Sequence, residues 1–273
     1  MKTIKLVLRA MLILLILSLL PAYQLKAEAT QCPTPKGLML HSSFGREQMH
    51  ALAEDIVKGG YETLTYREVA TLYRKGLCTP EKTVVVSLDD LSGEWLRQNF
   101  RDMIQEFLDN GLVLTVGVVT GTSSDAQDQA LWQYFKQISA QGVEVASHSA
   151  QHLNPNRISR AALQQEVRVS YELICSNLGQ CPETYILPGG NGWDSPEILE
   201  IISEKYTTVV SINAPVTYGG RPLLMKRIPP ILNPGHFHPV RVLNEALFPW
   251  FETQRENLFR LTHQRPNPGW LTQ

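Results

Sequence analysis

Two short stretches of this sequence hold residues whose types can do chemistry together: "TVVVSLDD", ending in Asp89 and Asp90, and "VASHSAQHLNP", with His148 and His152 four apart. Two neutral imidazoles and one carboxylate make a three-ligand set that leaves positions open for water and substrate, the pattern of a catalytic rather than a structural metal site. A second carboxylate beside the first can then serve as a base. Taken alone, each stretch is a modest signal. Adjacent aspartates at a strand end commonly act as helix caps or solvated turn residues. The histidine pair suits a metal if it lies on a helix, where residues four apart share a face, but it lacks the glutamate of the zincin HExxH pattern.

The elements that must position these residues give the pairing its weight. Apolar runs of β type alternate with longer amphipathic segments: "GLMLHSS", "TVVVSL", "LVLTVGVV", "VEVAS", "ETYILP", "TTVVSI" and "LMKRIPP" read as seven strands. Between them, "REQMHALAEDIVKGG", "EWLRQNFRDMIQEFLDNG", "AQDQALWQYFKQISAQG", "SRAALQQEVRVSYELICSNLG" and "SPEILEIISEKY" read as helices, several closed by glycine. Such alternation implies parallel pairing through right-handed crossovers. Seven strands over this length predict an α/β fold in a single domain, a βα barrel that is closed or slightly distorted. An open doubly wound sheet is the alternative, but the first strand is not followed by a glycine-rich phosphate loop. In parallel α/β folds, functional groups gather at the carboxyl ends of the strands. Asp89 and Asp90, His148 and His152, the "GGNGW" turn, and His236 and His238 beyond "KRIPP" would all open there.

Composition narrows the function classes. A formal net charge of -1 over 273 residues gives no basic face for nucleic acid. The start is different: Lys2, Lys5 and Arg9 precede an apolar run from Met11 to Leu20 and the small-residue pattern Ala27-Glu28-Ala29. This is the order of a secretory signal peptide, expected over residues 1–29, with the mature chain over 30–273. The apolar run is short of the roughly twenty residues that span a bilayer, so a membrane link would arise only through an uncleaved N-terminus. "EATQC" is not a convincing lipoprotein box. Four cysteines in an exported chain favour disulfides over free buried thiols, and Cys32–Cys78 with Cys175–Cys181 is the expected connectivity of the three possible.

The order of "TVVVSLDD", "VEVASHSAQH", "YILPGG" and "KRIPP" resembles the polysaccharide deacetylase family of carbohydrate esterases, whose members carry strand-end "TFDDG" and "HSxxH" or "HTxxH" motifs. "GLMLHSSF" and "GGYETLTYREVATL" resemble the family's opening segments, so the likeness runs from about residue 37 to 240, with a helix and tail over 241–273. The resemblance implies the distorted (β/α)7 barrel and a divalent metal, with zinc first in line, held by Asp90, His148 and His152. It implies Asp89 as general base, and it places the oxyanion and substrate near Pro188 and Gly189. Trp193 and Trp95 stand either as aromatic faces for sugar rings or as buried core residues. His236 and His238 are the candidates for the general acid, with ordinary loop histidines the alternative. Ile186 stands where many members have the arginine that orients the catalytic aspartate, and Leu91 where they have glycine.

The implied activity is metal-dependent removal of N-acetyl groups from an envelope or extracellular polysaccharide such as peptidoglycan, poly-N-acetylglucosamine or a chitin-like polymer. The expected partner is an N-acetylated glycan, with no nucleic acid, and the sequence is silent on oligomeric state. Two alternatives stay open: a non-catalytic glycan-binding relative, and a metal amidase or esterase for a small amide or ester.

Overall fold

The structure is a computed structural model that describes residues 32, 34–41, 45–91, 98–121, 125–212, 214–216 and 222–227. The leader expected over 1–29, Trp95, His236, His238 and the segment 241–273 lie outside them. The chain divides into two compact units, Met1–Pro33 and Thr34–Gln273, and every described helix and strand belongs to the second.

Among the described residues there are eight strands: β1 (Lys36–Leu40), β2 (Glu62–Thr63), β3 (Thr83–Leu91), β4 (Thr115–Val118), β5 (Glu144–Ser147), β6 (Thr184–Ile186), β7 (Thr208–Ser211) and β8 (Leu223–Lys226). All ladders are parallel, in the order β1-β3-β4-β5-β6-β7-β8, with β2 pairing β3 off this path. The seven strands on the path are the seven apolar runs of the sequence. The extra one, β2, spans only Glu62 and Thr63, too short for any alternation to reveal it. Six described helices cross between strands: α1 (Arg46–Lys58), α2 (Tyr66–Arg74), α3 (Gln98–Asp109), α4 (Asp125–Ser139), α5 (Arg160–Leu178) and α6 (Pro196–Ser203). None of the described helices is long and apolar enough to cross a membrane.

Local chemistry sets the helix ends. Thr65 and Glu68 form a reciprocal capping box on α2, and Ser159 caps α5, which stops at Gly179 in the left-handed conformation (φ 73°). The Cys175–Cys181 disulfide, as expected, ties the last turn of α5 to the segment before β6, and no described cysteine is free. On α1 the buried residues Met49, Leu52, Ala53 and Ile56 recur at three and four, making one inward stripe. They share a core cluster with Phe100, Met103, Ile104 and Phe107 of α3, and burying each large side chain contributes about 1.5–3 kcal/mol. A second cluster gathers Leu163 and Val167 of α5 with Tyr185, Ile198, Ile201, Tyr206 and Val209. At the amino end of β5, buried Glu144 accepts from Thr115 Oγ1 and the Arg67 N–H, both at 3.0 Å, and burial pushes its carboxyl up.

The sheet is nearly closed into the distorted (β/α)7 barrel, and the seam lies where β1 meets β8 without a ladder. A Cβ on Gly37 would lie 2.6 Å from the Lys226 carbonyl oxygen and 3.0 Å from the Arg227 Cα, so only glycine lets the two edges approach this closely. Gly37→Val is expected to cost about 1–3 kcal/mol, the range for overpacking a tight site. A thermal melt checks this, and an unchanged midpoint would mean the seam is not held at this spacing.

Candidate metal centre at the carboxyl ends of the strands

Asp89 and Asp90 are sequence neighbours, and in a regular strand neighbours point to opposite faces. Here β3 pairs β4 through Leu88↔Val116 and resumes at Leu91↔Val118, so Asp89 and Asp90 together oppose Gly117 alone. Two residues against one is the arithmetic of a bulge, which kinks the strand and re-aims its side chains. Asp90 takes the kink in the left-handed region, at φ 65°. Aspartate tolerates that region better than most residues, though at a cost of about 1 kcal/mol. A Cβ on Gly117 would come within 3.0 Å of Asp89 Oδ1, so this glycine clears the space the buried carboxylate occupies. Leu91, where a family member would have glycine, pairs in the ladder and needs no positive φ.

His148 follows β5 directly, and its N–H donates to the Val118 carbonyl at 2.8 Å. The His148–His152 segment is not helical, contrary to the shared-face geometry considered for the pair. It is an irregular turn with Ser149 at φ 69° and His152 at φ 59°. Ser149 stabilises this turn from within: its Oγ accepts from the His152 N–H at 2.8 Å, and its N–H donates to Ser147 Oγ at 3.2 Å. The two rings meet edge to face with centroids 4.7 Å apart.

The consequence is a tight triangle of ligand atoms. Asp90 Oδ1 lies 3.0 Å from His148 Nε2 and 3.1 Å from His152 Nε2, and the two Nε2 atoms are 3.2 Å apart. His148 Nδ1 lies 2.9 Å from the Ile186 carbonyl oxygen, to which it donates, so Nε2 is the ring nitrogen that faces Asp90. Three lone-pair atoms at this separation repel unless a proton or a cation lies among them. Ligands about 2.0–2.1 Å from a tetrahedral zinc stand about 3.3 Å apart, close to the edges observed. The donor set therefore fits a divalent cation with nitrogen and oxygen ligands, and these three residues form the metal-competent group found among the described residues.

The three groups also bias one another's protonation. Burial alone would raise the Asp90 pKa, but hydrogen bonds from His148 and His152, with His41 nearby, hold it well below the carboxylate range. His152 moves up, first through its hydrogen bond to Asp90 and then through the charges of Asp90 and Asp89. The site is open on one side only: His148 is 2% exposed, while Asp90 and His152 are 39% and 42% exposed.

Behind the triangle lies a second pair that the sequence did not announce. Asp89 and Arg227 are fully buried, with Arg227 Nη1 2.5 Å from Asp89 Oδ2 and also donating to Ser87 Oγ at 2.9 Å. Arg227 belongs to "KRIPP", just past β8. It supplies from another strand the guanidinium that is missing at Ile186. The only sequence signal was one arginine at the end of an apolar run, next to nothing it could be seen to pair with. His41 was missed in the same way. It follows β1, and its Nε2 lies 3.3 Å from Asp90 Oδ2.

The remaining expected residues are spread around this centre. Pro188 is buried and Gly189 exposed at φ 60°, in the short turn after β6. Ile186, two residues earlier, brings that turn beside His148 through its carbonyl. Trp193 is partly buried against the second core cluster, so at least part of the ring serves packing.

Residues 76–208 match the model of the family described as polysaccharide deacetylase, a span that includes Asp89, Asp90, His148 and His152. The deacetylase PplD of Streptococcus pyogenes, solved in complex with acetate, superposes with a TM-score of 0.60 at 16% identity, over 71% of this chain and 91% of that one. IcaB from Ammonifex degensii does so with a TM-score of 0.60 at 17% identity, over 73% and 92%. The deacetylase domain of BpsB from Bordetella bronchiseptica gives 0.56 at 14% identity, over 71% and 95%. At these identities the likeness is one of fold. No curated protein matches the sequence.

Proposed function

We propose that this chain, whose residues 76–208 match the polysaccharide deacetylase model, is a divalent-metal-dependent hydrolase removing N-acetyl groups from an envelope or extracellular polysaccharide. The observation that carries this is the triangle of Asp90, His148 and His152 set against the buried Asp89–Arg227 pair. Two imidazoles and a carboxylate favour zinc among the common divalent cations. When bound, the metal supplies a lowered pKa for water and a polarised amide carbonyl.

The chain's own residues do the rest. Asp89 takes the proton of the attacking water, since its carboxylate lies 3.8 Å from His148 Nε2, just behind the ligand atoms. Arg227, itself buried, fixes the orientation of that carboxylate and supplies its counter-charge. His148 is locked in one tautomer by the Ile186 carbonyl and holds its Nε2 toward the reacting centre. His41, next to Asp90 and one-third exposed, is placed to protonate the departing amine. His236 and His238 keep their place as acid candidates on sequence grounds alone. The Gly189 backbone N–H, in the turn that follows β6, would steady the developing oxyanion. The leader pattern at the N-terminus supports export to the compartment where N-acetylated polysaccharides lie.

The test is acetate release from acetylated chitooligosaccharides and from peptidoglycan by the purified mature protein, with its metal content measured in parallel. Release should stop with a chelator and return with added zinc. Stoichiometric metal with no acetate from any glycan would instead favour a glycan-binding protein or an amidase for another substrate.

A further inference from the structure

The stripe that α5 presents inward contains Leu163, Glu166, Val167, Ser170 and Ile174, all buried. Four of these are ordinary packing residues. Glu166 is a carboxylate with 4% of its surface exposed, in a position where a leucine would satisfy the spacing. An isolated buried carboxylate costs several kcal/mol unless its surroundings compensate. Among the described residues its hydrogen-bond partner is a backbone N–H rather than a cation: Gln151 N–H donates to Glu166 Oε2 at 2.8 Å.

Gln151 is the residue before His152, inside the turn whose Ser149 and His152 are both left-handed. Each such residue carries a cost of about 1–3 kcal/mol and persists only where its surroundings over-determine it. Ser149 Oγ fixes the His152 N–H at 2.8 Å, and Glu166 fixes the N–H just before it. The Ser149 and Ala150 carbonyls accept from the Thr120 and Gly121 N–H groups at 3.2 and 2.7 Å, anchoring the near side of the turn to the loop after β4. Glu166 is the charged member of this set, and it reaches the turn from the helix outside the barrel. Its charge bears on His152 as well.

We propose that Glu166 is a positioning residue for the metal centre: it pins the Gln151 N–H, and with it the turn that aims His152, and it adds negative charge to the site. The inference rests on the metal reading of Asp90, His148 and His152. Its test uses metal-free mature protein titrated with zinc alone in a calorimeter, for wild type, Glu166→Gln and Glu166→Ala. If wild type takes up no zinc, the metal reading itself fails, whatever the variants do. If wild type binds, Glu166→Gln keeps an acceptor for the Gln151 N–H and removes the charge, so affinity should fall about 10-fold. Glu166→Ala removes both, so affinity should fall about 10–100-fold, the range for lost partners behind metal ligands. Amide hydrogen exchange at Gln151 and His152 should then rise in the alanine variant and stay near wild type in the glutamine variant. A residue that only fills space would lower the melting temperature and leave the zinc affinity of the folded protein unchanged. Wild-type zinc affinity in both variants would overturn the proposal, as would wild-type affinity in Glu166→Gln should Glu166→Ala not fold.

Discussion

Asp90→Asn is expected to give a folded protein that no longer retains zinc through a wash and releases acetate at least roughly 10³-fold more slowly, since a bound metal supplies several kcal/mol of transition-state stabilisation. Asp90 is the anionic corner of the triangle: its Oδ1 is 3.0 and 3.1 Å from the two imidazole nitrogens. Removing its charge leaves two neutral ligands, too few for a tight divalent site. Asparagine is the informative replacement because position 90 is left-handed at φ 65° and asparagine adopts that conformation readily. Asp90→Ala should behave alike toward metal but melt lower, because alanine meets the backbone strain without that tolerance. Metal content after gel filtration, thermal melts and acetate release together decide the matter. Stoichiometric metal in Asp90→Asn would sink the assignment.

The second large effect concerns the pair behind the triangle. Arg227→Met leaves the Asp89 carboxylate buried without its counter-charge, and breaking a buried ion pair from one side costs about 3–5 kcal/mol. For a chain of this size that corresponds to roughly 6–20 °C in melting temperature. Asp89→Asn should keep the metal, because Asp89 is not a corner of the triangle, yet lose roughly 10²–10⁴-fold in rate, the span for a positioned proton acceptor. The double variant Asp89→Asn/Arg227→Met separates the two roles. It removes both charges together, so stability should recover well above Arg227→Met alone while activity stays lost. If Arg227→Met were as stable and as active as wild type, the orienting role of Arg227 would be gone. Retained activity in Asp89→Asn would remove Asp89 as the base.

Much of the fold was legible because it rests on local patterns. The seven barrel strands are continuous apolar runs, as expected of strands buried on both faces, and their separation by amphipathic segments implies parallel order. What the pattern missed follows the same logic. β2 has two residues, and no periodicity exists over two residues. The pairing of Cys175 with Cys181 was legible because a separation of six residues limits the partners.

The candidate centre divides along a different line. Asp89, Asp90, His148 and His152 could be singled out by type and by position after apolar runs, since strand ends are where such folds gather polar groups. Their convergence could not be read. It depends on a bulge that sets Asp89 and Asp90 against Gly117 alone, and on a turn with two left-handed residues rather than the helical face that a spacing of four suggests. Bulges and positive φ at non-glycine residues carry no reliable signature in composition. They are local costs that only surrounding contacts can sustain.

The sequence by itself determined the barrel, the export-type leader pattern and the cast of candidate ligands, because hydrophobic periodicity and residue chemistry are properties of short stretches. Tertiary structure alone decided which charges meet. Arg227 lies 138 positions from Asp89 in the chain, and it replaces the missing arginine only because β8 folds back beside β1 across the seam at Gly37. Glu166 reaches the turn before His152 from a helix, and His41 reaches Asp90 from the first strand, for the same reason. Charge pairing acts through space over a few ångströms, and sequence separation says nothing about that distance until the barrel has closed.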